Sequence, residues 1–501
     1  MATGPVEPKD GLRFASPAGK WVVAATALGS GVVMLDSTVV NVALPPMAVS
    51  LDADFAGLQW VVSGYTLTLA SFILVGGSLG DRFGRRRVFC IGLAWFGVAS
   101  ALCSVAPSIG VLTIGRILQG VGGALLTPGS LAILQASFHR DDRSRAIGAW
   151  SGLGGVTSAI GPFLGGWLAQ YSWRYIFLIN LPLIAFVIIL TVRHVPETRD
   201  ETAEGSIDVV GASVGAVGLA AATYGLIQQK VGVGLIGLVI LVVFVLVEMR
   251  RRHPMLPMGI FRSRQFSASN GLTFVMYGSL GMVLFLVGLV LQIALGYSPL
   301  QAGAALLPIT FIMLVFSARS GGLAQRIGPR WQMSLGPMVV AAGVLLLGRI
   351  QPGTSYFTGV FPGVVVFAAG LALTVAPLTS TVLAAADARH AGVASGVNNA
   401  VARAAGLLAV AAVPVLTGID PTGTIGANEL VSGFRTATYL AAVACVLGGL
   451  LALATITSRM PSADGADGTV GEGGEAEGPG EGEGEPCFHC SVDATPLVVD
   501  A

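Results

Sequence analysis

GSLGDRFGRRR, residues 77–87, returns as GGLAQRIGPR at residues 321–330, displaced by 244 positions. The displacement recurs elsewhere. Asp142 with Gly161 finds Asp387 with Gly406 after 245 positions, and apolar runs that begin near 21 and 266 are the same distance apart. The chain is therefore written as one unit used twice in the same direction, although glycines common to any packed helices contribute to the match.

The material between these marks is apolar. Of 501 residues, 53% are hydrophobic and 11% charged, with a mean hydropathy of +0.78. That composition excludes a soluble enzyme domain and fits a chain that crosses a bilayer many times. The runs are filled with Gly, Ala, Val and Leu rather than alternating polar residues, so they read as helices and not as a β-barrel. Fourteen are predicted, near 21–45, 58–80, 88–106, 109–136, 146–170, 173–192, 207–228, 232–249, 266–292, 300–322, 331–349, 356–383, 393–417 and 434–457. The fold class expected is an all-α polytopic membrane protein of two six-helix bundles, 21–193 and 266–457. A linker, 194–265, carries two extra helices at about 207–228 and 232–249.

Charge orients the chain. An even number of spans puts both termini on one side; with that side cytoplasmic, cytoplasmic segments hold 21 of the 28 Lys and Arg and outer segments hold four, Arg174, Lys230, Arg349 and Arg435. This follows the positive-inside rule, so the cytoplasmic membrane is expected, with residues 1–20 and the tail 458–501 inside. The other three, Arg116, Arg319 and Arg403, fall within spans. All Lys and Arg precede residue 460, whereas 460–501 holds ten acids; its GTVGEGGEAEGPGEGEGEP reads as disordered.

Residues 1–20 lack a convincing cleavage site, so the first helix is read as retained. Cys90, Cys103 and Cys445 read as packing residues. The tail has CFHC with Cys487, His489 and Cys490, but zinc would need a fourth ligand from a second cluster, so no metal is expected.

With repeat, spans and loop in hand, the chain resembles a major facilitator superfamily transporter of the fourteen-span drug:proton antiporter-2 family, over roughly residues 20–460. The resemblance implies two bundles rocking about a central cavity, with the extra pair outside that core. GSLGDRFGRRR resembles the superfamily's loop between spans two and three, and makes Gly77, Asp81, Arg82, Gly84, Arg85 and Arg86 gating residues. Gly77 and Gly84 permit close approach and a tight turn, and Asp81 sets a negative charge at a helix end among basic residues. Arg85, Arg86 and Arg87 read equally as topology anchors, but topology does not require an acid. The resemblance gives Asp81 a share in closing the cytoplasmic gate; Gln325 replaces it in the second copy. SGLGGVTSAIGPFLGG resembles the antiporter motif of exporters, with Gly152, Gly155, Gly161, Pro162, Gly165 and Gly166 making a kinked, closely packed seam. The second copy lacks the proline.

Six polar positions inside spans call for a function. Asp36, in LDSTVVNVALP, interrupts the first span, and an ionisable group at that depth is a functional site by default. Arg116, in LTIGRILQGVGGALLTPG, lies at a similar depth in the fourth span, so the two are expected to pair beside a hydrated cavity, with Asp36 as the proton-coupling carboxylate. The other readings are a helix-to-helix hydrogen bond for Asp36, with Asn41 near it, and snorkelling for Arg116. Asn398, Asn399 and Arg403 form a polar strip in span thirteen, which either contacts substrate in the cavity or bonds neighbouring helices; with Asn41 of the first span they are the candidate substrate-cavity residues.

No phosphate loop is present in the sequence, so ATP-driven pumping is not expected, and no soluble segment is long enough to hold a catalytic domain, so no enzymatic activity is expected. No cofactor is expected beyond the proton gradient as energy source. The partners expected are a small-molecule drug or antibiotic, protons and the lipid bilayer; no nucleic acid partner is expected, and the chain is taken as a monomer. The function expected is proton-coupled efflux of a hydrophobic or amphiphilic drug. The alternatives are a nutrient importer or facilitator of the same fold and a membrane sensor. With no second deep carboxylate, the cargo expected is neutral, zwitterionic or monocationic.

Overall fold

The computed structural model describes residues 11–199, 208–251, 256, 258–385, 391–423 and 426–458. The CFHC motif, Asp387 and most of the acidic tail lie outside these residues.

The first repeat is α1 (Pro17–Leu51), α2 (Phe55–Phe83), α3 (Arg85–Ser104), α4 (Ile109–Ser137), α5 (Arg140–Tyr171) and α6 (Tyr175–His194). The extra pair is α7 (Val209–Ile227) and α8 (Val231–Arg250). The second repeat is α9 (Arg264–Ala294), α10 (Pro299–Ala324), α11 (Pro329–Leu347), α12 (Tyr356–Ala384), α13 (Ala391–Ala411) and α14 (Ala427–Thr455). Thirteen of these are long and apolar enough to cross a membrane among the described residues. The fourteenth, α5, has the length at 32 residues, but its seven glycines and its charged first turns make it less apolar.

The packing repeats as the sequence does. In the first bundle α1 packs on α5 and α6, α2 on α4, and α3 on α4 and α6; in the second α9 packs on α13 and α14, α10 on α12, and α11 on α12 and α14. The bundles meet along two seams, α2 against α13 and α5 against α10. The extra pair is not remote from this junction. α7 packs against both α2 and α13, and Leu67, Leu219 and Leu407 form one small apolar cluster across the three helices. α8 packs mainly on α7 and exposes Leu235, Leu238, Val239 and Val242, the surface of a helix that faces hydrocarbon.

The two copies of the loop share a backbone device. Gly84 has φ +104° and Gly328 has φ +82°, a region open to glycine. A β-carbon on Gly84 would fall 2.8 Å from the Glu197 carboxylate, just past α6, and one on Gly328 would collide with the Ser458 carbonyl, just past α14. Each loop is thus seated on the segment that leaves its own bundle.

α1 departs from expectation. Pro45 and Pro46 do not end it; they sit inside a helix that runs on to Leu51 and stops at Asp52, which has φ 48°. A proline leaves the carbonyl four residues earlier without its helical donor. The Val42 carbonyl, freed by Pro46, accepts instead from Gln292 Nε2 of α9 at 2.8 Å, so the defect is repaired by the other bundle.

Candidate functional site

A cavity of about 450 Å³ lies between the bundles, within the range of small-molecule sites. Its wall takes Ser37, Thr38 and Asn41 from α1, Ser63 and Thr66 from α2, Leu280, Leu284 and Phe285 from α9, and Asn398, Asn399 and Arg403 from α13. It extends to Thr379, Val382 and Leu383, in the last turns of α12, at the end of the molecule that carries the 77–87 loop. At the opposite end the bundles are closed on each other. Gln59 Nε2 donates to the Val410 carbonyl at 2.5 Å, and the Ala56 amide donates to the Pro421 carbonyl at 2.9 Å, alongside the Gln292 bond to Val42.

The antiporter glycines divide between those two ends. A β-carbon on Gly165 would lie 2.9 Å from the Val39 carbonyl, and one on Gly166 would collide with the Pro299 carbonyl of α10. Gly161 faces Thr38 of α1, and the Pro162 carbonyl lies where a β-carbon on Gly303 would fall. These positions seal the closed end by letting backbones touch. Gly152 and Gly155, nearer the loop end, have nothing within 4 Å of a built β-carbon.

Asp36 and Arg116 form an ion pair, with side chains each 1% exposed. One carboxylate oxygen takes Arg116 Nη1; the other accepts from Gln119 Nε2 at 3.2 Å and Asn180 Nδ2 at 3.1 Å. Arg116 also donates to the Val61 carbonyl at 3.0 Å and to Gln119 Oε1 at 2.8 Å, and its guanidinium stands 4.2 Å from the centroid of the Tyr65 ring. Ser100 Oγ accepts from both amides, at 2.7 Å from Gln119 and 3.3 Å from Asn180. Five helices of the first bundle therefore meet at one charged pair.

The expected position of that pair needs correction. Neither Asp36 nor Arg116 lines the cavity; Asp36 points the other way, into the first bundle. The reason is helical geometry, since successive residues on a helix are turned by about 100° and Ser37, next along α1, takes the cavity face. The cavity's charge is Arg403. Among the described residues that line it, no carboxylate is present and Arg403 is the sole cation.

The other polar positions fall on the wall in different ways. Asn398 Nδ2 is taken by Asn270 Oδ1 at 3.2 Å and Thr273 Oγ1 at 2.8 Å, so it ties α13 to α9. Asn399 is open and, among the described residues, bonds along its own helix, to the Ser395 carbonyl at 3.0 Å. Among the described residues, Asn41 Oδ1 and Ser63 Oγ are buried without a hydrogen-bond partner.

In the 77–87 loop, Asp81 pairs with Arg85 at 2.8 Å within the same bundle. Gly77 faces Pro128 of α4. Glu197 accepts from the amides of Arg86 and Arg87 at 3.0 and 3.2 Å, which caps the start of α3, while Arg86 Nη1 donates to the Val195 carbonyl at 3.1 Å. Arg82 is interacting as well.

Gln119, Asn180 and Glu197 escaped the sequence reading. Gln119 lies three residues after Arg116 and hence on the same face of α4, and Asn180 is a lone amide in an apolar run; both were findable signals. Glu197 carries none, since an acid after a span is ordinary.

Residues 26–410 match the family profile of the Major Facilitator Superfamily. The chain is 34% identical over 408 residues to the tetracenomycin C resistance and export protein of Streptomyces glaucescens, covering 78% of this chain and 74% of that one. It is 32% identical over 471 residues to a puromycin resistance protein of Streptomyces alboniger, covering 89% and 92%. Among solved structures, a D-xylose-proton symporter superposes with a TM-score of 0.63 at 15% identity, covering 88% of this chain and 98% of that one, a likeness of fold alone.

Proposed function

The chain belongs to the Major Facilitator Superfamily, and from that premise we propose that it exports an antibiotic or similar amphiphilic compound from the cell in exchange for protons. The observation that carries this is a cavity between two bundles, closed at one end, whose wall includes the same helix, α1, that holds a buried carboxylate–guanidinium pair. The names of the relatives support the cargo, since both concern antibiotic resistance. The chain acts as a transporter and not as an enzyme.

The excess of Lys and Arg in the loops on the 77–87 side supports placing that end, and both termini, in the cytoplasm of a cell whose cytoplasmic membrane the chain spans. The conformation described here then receives cargo from inside. Asp36, ionised, holds Arg116; a proton on Asp36 removes the negative partner and leaves the guanidinium to Gln119, the Val61 carbonyl and the Tyr65 ring. That discharge loosens the junction of α1 with α4 and α6, and so biases α1, which also lines the cavity, toward the other state. Asp81 and the arginines near it close the cytoplasmic end in that second state, with Gly152 and Gly155 free to accept α10.

The test is a susceptibility panel on an efflux-deficient bacterial host expressing the full chain, beginning with puromycin and tetracenomycin C. Export predicts raised resistance to some member and lower cell accumulation, both removed by an uncoupler. Higher accumulation would mean import, and unchanged accumulation of every compound together with unchanged resistance would count against transport.

A further inference from the structure

We propose that the cavity holds its cargo by an anionic group on Arg403, so that the compounds moved are amphiphilic organic acids; this deepens the export reading and rests on it. Arg403 lies mid-way along α13, half-buried, and forms no hydrogen bond or ion pair with any described residue. The described carboxylates that reach membrane depth are engaged elsewhere: Asp36 with Arg116, Gln119 and Asn180, and Glu248 with the Leu256 amide. A guanidinium in such a place is costly unless hydrated or paired, and the charge that offsets it arrives with the ligand. Its planar fork matches a carboxylate at two points.

The surroundings fit the rest of such a molecule. Ser37 on α1 and Thr66 on α2 line the cavity and donate along their own helices, to the Met34 and Val62 carbonyls, so their oxygens can accept from hydroxyl or amide groups of the ligand on the first bundle while Arg403 holds the acid from the second. Leu280, Leu284 and Phe285 supply an apolar face for a ring system. A cationic compound would meet Arg403 with no carboxylate on the described wall to offset the repulsion. The proposal narrows the expectation of a neutral, zwitterionic or monocationic cargo to compounds that carry an acid group, since an arginine without a partner among the described residues faces the cavity.

Three probes on one scaffold separate charge from size: pyrene-1-butyrate, pyrene-1-butanol and pyrene-1-butylamine. Their binding to the purified full chain in uncharged phosphatidylcholine nanodiscs is measured against empty discs, with no gradient. The butyrate should bind about tenfold or more tightly than the amine, the range expected of a charge-assisted hydrogen bond. Arg403→Gln should erase that preference while butanol binding is kept, and Arg403→Lys should retain part of it. The inference is overturned if the wild type shows no preference, binds none of the probes or prefers the amine, or if Arg403→Gln keeps the preference. It is also overturned if phosphatidylglycerol in the disc removes the preference, since a lipid anion would then be the occupant. Because binding is read without a gradient, anion preference without export would retain the site and reject the exporter, and export without anion preference would do the reverse.

Discussion

Replacing Asp36 with asparagine takes away the one negative charge beside a guanidinium whose side chain is 1% exposed. Breaking a buried ion pair from one side costs about 3–5 kcal/mol, because the remaining charge is left desolvated. Asparagine is also a poor copy of this aspartate. Asp36 accepts at both oxygens, from Arg116 on one and from Gln119 and Asn180 on the other, so an amide NH2 meets donors whichever way it turns. Asp36→Asn should therefore lower stability by about 3 kcal/mol or more while the protein still inserts, and Arg116→Gln should do likewise. The double variant should be less destabilised than the sum of the two by about 2 kcal/mol or more, as expected of residues in direct contact. Chemical unfolding of the four proteins in matched nanodiscs measures the cycle. If the single effects add to within about 0.5 kcal/mol, the two residues do not act as a unit and the reasoning from the buried pair is wrong.

Arg116→Lys should lose most transport, since an ammonium cannot reach Asp36, Gln119 and the Val61 carbonyl while lying on the Tyr65 ring; wild-type transport rates in proteoliposomes would contradict this. Asp81→Asn should change stability by less than about 1 kcal/mol, because its pair with Arg85 is partly exposed, yet abolish export. Unfolding and efflux measured on the same preparation check both halves of that expectation. Gly165→Ala should destabilise the chain by about 1–3 kcal/mol through the Val39 backbone. Gly152→Ala and Gly155→Ala should leave stability in this conformation unchanged but slow export, and cysteine accessibility at the loop end should report slower closure.

Much of the architecture could be read from the chain because it rests on two strong periodic signals, long apolar runs and a repeat of about 244 residues. The end of α1 could not. A Pro-Pro pair ordinarily stops a helix, and the feature that rescues it, Gln292, is 246 residues away in another bundle. The facing of Asp36 was also beyond reach, because residues 36 and 37 are neighbours in sequence and look in directions about 100° apart. Depth along a helix can be counted from sequence, whereas rotation about its axis depends on which neighbours pack against it. Arg403 was legible as a polar intrusion into an apolar span, but its lack of a partner among the described residues was not, since that depends on where the carboxylates of both bundles point.

The claim at the centre of the account is that proton occupancy of Asp36 drives the cavity from one side to the other. The most direct measurement uses proteoliposomes with an acid interior, the chain oriented with its 77–87 loop outside, and a cargo identified by the susceptibility panel. Internal pH and cargo uptake are recorded together. The account predicts that wild-type protein accumulates cargo as the interior loses protons, and that Asp36→Asn, matched for folded protein, does neither. Equal cargo-driven proton movement by the wild type and Asp36→Asn would contradict it.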